Sequence, residues 1–319
     1  MIHLLSKDHH PHLQKRALLE FLGLAVLVGL SINQREVIAT AIEAIRNSDV
    51  FYLTLLFGMY WLLLPLTAFS YRMLAYRKIP IVTTALAQLA AAGPGRIIPG
   101  GLGHISISAI HLHKLGLSME RAILIPVSNN IIGLAVNSTL IMSAVIYHPT
   151  LLDSIWSRLS VELFLVIILL VLIVLALLQW LSHVRKMRAA IKRVTNQWKH
   201  LIAHLRKRPK RIMYIMLISA TTTIGHSFML QLAGDALSIH IPISDAILAL
   251  SFGVLLGGAV PTPGGLGAVE AGTTSALILL GYNAAEATSA ALLFRTATYW
   301  QPLLPGMLSY LYLRERKLL

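Results

Sequence analysis

Two copies of the pentapeptide Pro-Gly-Gly-Leu-Gly, at residues 99–103 and 263–267, are each flanked by ionisable side chains in an otherwise apolar sequence. Arg96 and His104 flank the first copy, and Glu270 and Arg295 follow the second. A guanidinium group binds a phosphate or carboxylate through paired N–H donors. An ionisable group at bilayer depth costs at least about 2.5 kcal/mol, so such groups mark functional sites. We therefore predict that Arg96 and Arg295 contact an anionic substrate.

The other two side chains have more than one chemically reasonable role. Glu270 either forms a buried ion pair with Arg295 or caps the helix that follows the second pentapeptide. Glu270 and His104 also have the chemistry to carry a coupling proton. A further histidine in an apolar segment, His226, is predicted to make a hydrogen bond between helices.

The pentapeptides themselves are predicted to interrupt helices. Proline removes a backbone donor, and glycine permits a positive φ. A helix that begins at such a break presents free N–H groups and a positive dipole end, which suit an anion. The alternative is that the glycines only let helices pack tightly. The predicted substrate site therefore also includes Pro99, Gly100, Gly101, Gly103, Pro263, Gly264, Gly265 and Gly267.

The composition is that of a membrane protein. Of 319 residues, 56% are hydrophobic and 13% charged, and the mean hydropathy is +0.72; soluble domains carry about 25% charged residues. The polar first 16 residues do not resemble a cleavable signal peptide. Apolar runs long enough to span a bilayer, or nearly so, occur at 17–32, 51–70, 122–147, 161–181, 212–233 and 287–311.

Several kinds of chemistry find no support in the sequence. Cysteine is absent, which excludes a disulfide framework or a thiol nucleophile. There is no P-loop, nucleophile elbow or metalloprotease motif. We therefore expect no enzymatic activity, no cofactor and no metal site.

The distribution of the net charge of +14 argues for a membrane topology rather than nucleic-acid binding. Cations concentrate in segments that alternate along the chain, which places both termini in the cytoplasm by the positive-inside rule. The most basic stretch, residues 185–211, is predicted to lie on anionic lipid headgroups. The basic segments are the N-terminal tail, 72–78, 114–121, 185–211 and 314–317.

This charge map predicts an all-α, polytopic fold made of two inverted repeats, each with three spans and a re-entrant hairpin broken by proline and glycine. The alternative is that each hairpin is two full spans. The predicted segments are a tail at 1–16, a first repeat at 17–147 with its hairpin at 81–116, an outer loop and span at 148–181, a basic loop at 182–211, and the remainder at 212–319 with its hairpin at 243–281.

The second pentapeptide lies in a longer pattern that resembles a known family. The heptapeptide at 261–267, with Glu270, Arg295 and the Tyr299-Trp300 pair, is similar to the lysylphosphatidylglycerol synthase transmembrane-region family. The first repeat departs from the commoner form, which has arginine and glutamate where this chain has Gly101 and His104. The next span has Ser128, Asn129 and Asn130 in place of a usual Glu-Arg pair.

The resemblance implies a bacterial inner-membrane protein that moves an anionic phospholipid or a polyprenyl-phosphate lipid between leaflets. Arg96 and Arg295 would hold the lipid phosphate, and the aminoacyl-transferring domain of the bifunctional members is not expected. Two other classes remain open. One is a secondary transporter or channel for a small anion, and the other is an accessory membrane protein in lipid-linked glycan synthesis.

Overall fold

The computed structural model describes residues 46, 48–75, 78–98, 101–147, 198, 208–260 and 262–319. Within these residues all regular structure is helical. Pro99, Gly100, Pro261, the predicted spans 17–32 and 161–181, and most of the basic stretch 185–211 lie outside the described residues. In chain order, the described helices are α1 (Val50–Leu74), α2 (Ile81–Ala92), α3 (Leu102–Lys114), α4 (Met119–Tyr147), α5 (Pro209–Ala236), α6 (Ile243–Ala259), α7 (Ala268–Leu279), α8 (Ala284–Arg295) and α9 (Leu303–Glu315).

Helices α1, α4 and α5 are the three described helices long and apolar enough to cross a membrane. Their lengths of 25, 29 and 28 residues exceed the roughly 20 that a hydrocarbon core requires. Helix α1 begins where the Asp49 carboxylate accepts the Phe51 N–H at 2.7 Å, and α5 begins with Pro209, whose missing N–H is not needed in the first turn. Large apolar side chains such as Leu62, Leu217 and Leu255 lie on the outer surface.

Four shorter helices form two pairs, and each pair is interrupted at a pentapeptide. Helices α2 and α3 contain 12 and 13 residues, and α6 and α7 contain 17 and 12. They are about 18 to 26 Å long, less than the roughly 30 Å of a hydrocarbon core. A 3₁₀ turn lies in each break, at Pro94–Ile97 and at Pro263–Gly265. The pentapeptides therefore interrupt helices, as their proline and glycine content predicts.

The last apolar run is not the single uninterrupted span predicted at 287–311. Helix α8 ends at Arg295, a π turn occupies Thr296–Trp300, and α9 begins at Leu303. The local cause is Pro302, which has no N–H and cannot continue the ordinary hydrogen-bond ladder.

Glycine contacts hold the short helices close together. A Cβ atom added to Gly272 of α7 would lie 2.8 Å from the Cα atom of Gly253 in α6. A Cβ atom added to Gly306 of α9 would lie 2.6 Å from the Leu89 carbonyl oxygen and 2.7 Å from the Gly93 nitrogen, both at the end of α2. Small residues at such crossings are typical of helices that pack in a membrane.

We expect Gly306→Ala to destabilise the protein by about 1–3 kcal/mol, because the added methyl group meets the backbone of α2. The unfolding midpoint of the detergent-solubilised protein, followed by tryptophan fluorescence, measures this loss. Gly58→Ala is the matched control, since Gly58 lies in α1 with no other atom within 4 Å of its added Cβ. Equal midpoints for the two variants would contradict the packing argument.

Candidate functional site

The π turn after α8 exposes backbone carbonyls, and Arg96 of the first break binds two of them. The Gln301 N–H donates at 2.9 Å to the carbonyl of Thr296, five residues earlier in the sequence, which is the hydrogen bond of a π turn. Because residue 302 is proline, the Thr298 carbonyl has no donor four residues along. Arg96 donates from Nη2 to this carbonyl at 2.7 Å and from Nη1 to the Tyr299 carbonyl at 2.6 Å. The first break is thus fastened to the last helical segment.

Both predicted arginines lie over the ring of one tyrosine. The Cζ atom of Arg96 is 4.3 Å from the centroid of the Tyr299 ring, and that of Arg295 is 4.6 Å from it. The π-electron face attracts a cation, more strongly where water is excluded, and Tyr299 is buried. One aromatic side chain therefore holds two cations in the same region.

Glu270 pairs with Arg295, one of the two roles predicted for it. The Nε atom of Arg295 donates to Oε1 of Glu270 at 2.8 Å, and the two side chains are only 10% and 13% exposed. Oε2 of Glu270 is buried without a hydrogen bond in the described residues. The N-terminus of α7, at Gly267, has no side-chain cap. The observed contact of Glu270 is therefore an ion pair rather than a helix cap.

The two breaks meet at Gly264. Its carbonyl accepts from Nη2 of Arg295 at 3.2 Å. Its φ of +60° favours glycine, and an added Cβ atom would lie 2.6 Å from Tyr299 Cε2 and 3.2 Å from Arg96 Cβ. A larger residue cannot be placed here without moving the tyrosine or the arginine stem.

A cavity of about 700 Å³ lies beside this cluster. Arg96, Arg295 and Gly264 line it, as do Gly101 and His104 of the first hairpin. His104 places its Nε2 atom 3.5 Å from the hydroxyl of the buried Tyr71. The structure thus brings five of the predicted site residues to one cavity.

The other described site residues do not line the cavity. Glu270 lies behind Arg295, while Gly103 abuts the backbone of Gly95. A Cβ atom on Gly265 would lie 3.4 Å from the Gly257 Cα atom, so Gly265 serves close packing with α6. Pro263 and Gly267 shape the turn of the second break. For Gly103 and Gly265 the structure therefore favours the packing alternative.

Uncharged polar residues that the sequence analysis did not select also line the cavity. They come from α4 and α5, and include Asn129, Asn137, Thr222 and Thr223. The sequence itself indicates the lining residues of α5, because its polar residues recur at helical spacing and so share one face of the helix. They are at positions 219, 222, 223, 226 and 227. His226 belongs to this face. Its Nδ1 atom lies 2.7 Å from the carbonyl oxygen of Thr222 in its own helix, where a bond between helices was predicted.

The charge of the cavity wall favours an anion. Among the described lining residues, the charged side chains are Arg96 and Arg295, and none is Asp or Glu. The single carboxylate beside them, Glu270, compensates one of the two cations. In the described part of the chain no group of three His, Cys, Asp or Glu residues lies close enough to hold a metal ion.

The comparison with protein families gives one finding. The family model described as "Lysylphosphatidylglycerol synthase TM region" matches residues 17–306. All the described residues of the arginine cluster and the cavity fall within that range. No curated protein matches the chain.

We expect Glu270→Leu to cost about 3–5 kcal/mol of stability, because it leaves the buried Arg295 uncompensated. The double variant Glu270→Leu with Arg295→Met should regain most of that loss, since neither charge then remains. Unfolding midpoints of the purified protein are measured for Glu270→Leu, Arg295→Met and the double variant, with the exposed Glu315→Leu as control. A double variant as unstable as the sum of the two single variants would show that the pair is not coupled.

Proposed function

Since this chain belongs to the lysylphosphatidylglycerol synthase TM region family, we propose that it moves an anionic phospholipid or a polyprenyl-phosphate lipid between the leaflets of the bacterial inner membrane. The observation that carries the proposal is the pair Arg96 and Arg295 in the wall of a cavity of about 700 Å³, with no carboxylate among its described lining residues. The movement involves no making or breaking of a covalent bond, so the protein acts as a transporter and not as an enzyme.

Both guanidinium groups keep donors for a phosphate. Each guanidinium group has five N–H donors. Arg96 uses two of them on the carbonyls of Thr298 and Tyr299, and Arg295 uses two on Glu270 and the Gly264 carbonyl. The backbone carbonyls of Thr298, Tyr299 and Gly264 orient the two groups but carry no formal charge to cancel theirs. The cluster therefore has an excess of one positive charge, which a phosphodiester would balance.

The rim of the cavity supports a lipid rather than a free anion. Ile98, Leu134 and Val254 line the cavity and are also 44%, 66% and 64% exposed. The polar interior is thus continuous with apolar side chains on the outer surface. A lipid would place its headgroup among the polar residues and keep its chains along this apolar rim, whereas a soluble anion would gain nothing from it.

We further propose that the chain is a multi-pass protein of two inverted halves with both termini in the cytoplasm, and that residues 185–211 lie on anionic headgroups. In each half, a long helix precedes an interrupted pair: α1 precedes α2 and α3, and α5 precedes α6 and α7. The short helices support re-entrant hairpins, because none is long enough to span the hydrocarbon core.

The topology is testable because the chain has no native cysteine. Single cysteines at Lys78 and Lys114 should react with a membrane-impermeant maleimide only after the cells are permeabilised. Cysteines at His240 and Ala284 should react in intact spheroplasts. All four positions are exposed at the ends of the interrupted pairs, so labelling of all four from one side would refute the inverted arrangement.

Arg96→Gln should slow lipid translocation by about tenfold or more, because a hydrogen bond to a charged group contributes about 1.5–3 kcal/mol. The full chain is reconstituted in liposomes with acyl-labelled phosphatidylglycerol, and dithionite quenching measures the labelled lipid that reaches the outer leaflet. Arg316→Gln is the matched control, since Arg316 also lies over a tyrosine, 5.5 Å from the Tyr312 ring centroid, but outside the cavity.

Two further measurements keep this experiment decisive. Arg96→Lys retains the charge without the planar fork, so it serves if Arg96→Gln does not fold. Uptake of inorganic phosphate into the same vesicles tests the small-anion class. Folded wild-type protein that carries phosphate but leaves both labelled phosphatidylglycerol and polyprenyl phosphate in place would overturn the lipid proposal.

A further inference from the structure

Helix α5 presents a continuous face of hydroxyl groups and one imidazole to the cavity. Ser219, Thr222, Thr223, His226 and Ser227 all line it. The Thr222 hydroxyl donates to carbonyls of its own helix at 2.9 and 3.1 Å, and Ser227 donates to the Thr223 carbonyl at 3.1 Å. With those protons committed to the backbone, the hydroxyl oxygens offer lone pairs, so this face supplies hydrogen-bond acceptors.

Helix α4 contributes carboxamides to the same cavity, and neighbouring helices orient two of them. Oδ1 of Asn129 accepts from the Ser70 hydroxyl at 2.5 Å, and Oδ1 of Asn137 accepts from the Ser251 hydroxyl at 3.1 Å. Because the carbonyl end of each amide is held in this way, the NH₂ end is the part left for the cavity. This second face therefore supplies hydrogen-bond donors.

Together these faces form a polar wall, defined here as Asn129, Asn137, Thr222, Thr223 and His226. The wall has donors and acceptors but no formal negative charge, and the only charged groups among the described lining residues are the two arginines. An ammonium group in this cavity would face two cations without a carboxylate to pair with. Such an uncompensated charge is costly, whereas a hydroxyl-rich group could both donate and accept.

We propose that the translocated lipid has an uncharged polyol headgroup, a glycerol or a sugar, attached to its phosphate, and that the polar wall binds this polyol while Arg96 and Arg295 bind the phosphate. Headgroups with ammonium groups, such as aminoacylated ones, are disfavoured. The inference rests on the proposed lipid translocation and specifies the substrate class of the same site.

The test uses three lipids with the same labelled acyl chains and different headgroups, in liposomes that contain the full chain. Phosphatidylglycerol has a phosphate and a diol, phosphatidic acid has the phosphate alone, and lysylphosphatidylglycerol adds ammonium groups. We expect phosphatidylglycerol to move about tenfold faster than phosphatidic acid, since its two hydroxyl groups can form hydrogen bonds with the polar wall. Lysylphosphatidylglycerol should be the slowest of the three.

A matched pair of variants assigns the preference to the wall. Thr222→Val combined with Thr223→Val keeps the side-chain shapes and removes two hydroxyls, so it should lower the phosphatidylglycerol rate to that of phosphatidic acid and leave the latter unchanged. Thr139→Val is the control: Thr139 is exposed on α4, donates to the Ala135 carbonyl at 3.1 Å like Thr222, and does not line the cavity. It should change neither rate.

The possible outcomes separate the two proposals. If folded protein moves neither these three lipids nor labelled polyprenyl phosphate, the translocation proposal fails and the polyol assignment fails with it. If it moves polyprenyl phosphate alone, translocation stands and the polyol assignment is overturned. If lipids move but phosphatidic acid equals phosphatidylglycerol, or lysylphosphatidylglycerol is fastest, translocation stands and the polyol assignment is overturned. A double variant that slows phosphatidic acid as much as phosphatidylglycerol also overturns it, because the wall would then act on the phosphate or on the fold.

Discussion

The hydrogen bonds of Arg96 to the carbonyls of Thr298 and Tyr299 are the interaction on which the site depends. Pro302 removes the donor that the Thr298 carbonyl would have in an α-helix, and the guanidinium group, with several fixed N–H donors, binds that carbonyl and the neighbouring Tyr299 carbonyl. This contact joins two elements more than 200 residues apart in sequence. It also fixes a positive charge at the cavity wall without a carboxylate to neutralise it.

Tyr299 and Glu270 stabilise Arg295, the second cation at the cavity, beside Arg96. The two guanidinium groups repel one another, and the electron-rich face of the Tyr299 ring and the carboxylate of Glu270 offset that repulsion. Because Glu270 pairs with Arg295 and is not among the residues that line the cavity, it compensates charge without presenting a negative group to the cavity. The result is a site that is asymmetric although the two pentapeptides are identical.

Local chemistry explains which features the sequence could predict. Proline and glycine contents are local properties, so the two helix interruptions follow from them, as does the expectation that a buried Glu270 needs Arg295. Whether a glycine faces a cavity or a neighbouring backbone depends on tertiary packing, so the sequence alone does not separate Gly103 and Gly265 from the glycines that line the cavity. The spacing of the polar residues in α5 predicts that they share one face of the helix. The sequence does not show which other helices that face is turned towards.

Pro302 has a mechanical consequence. If the first break moved away from the last helical segment, the Thr298 carbonyl would lose the Arg96 donor, and Pro302 supplies no N–H to replace it, at a cost of about 1–3 kcal/mol. The broken hairpin α2–α3 and the segment α8–α9 are therefore expected to travel as one rigid body. A displacement of either element would therefore carry the other with it, although the two lie about 200 residues apart in the sequence.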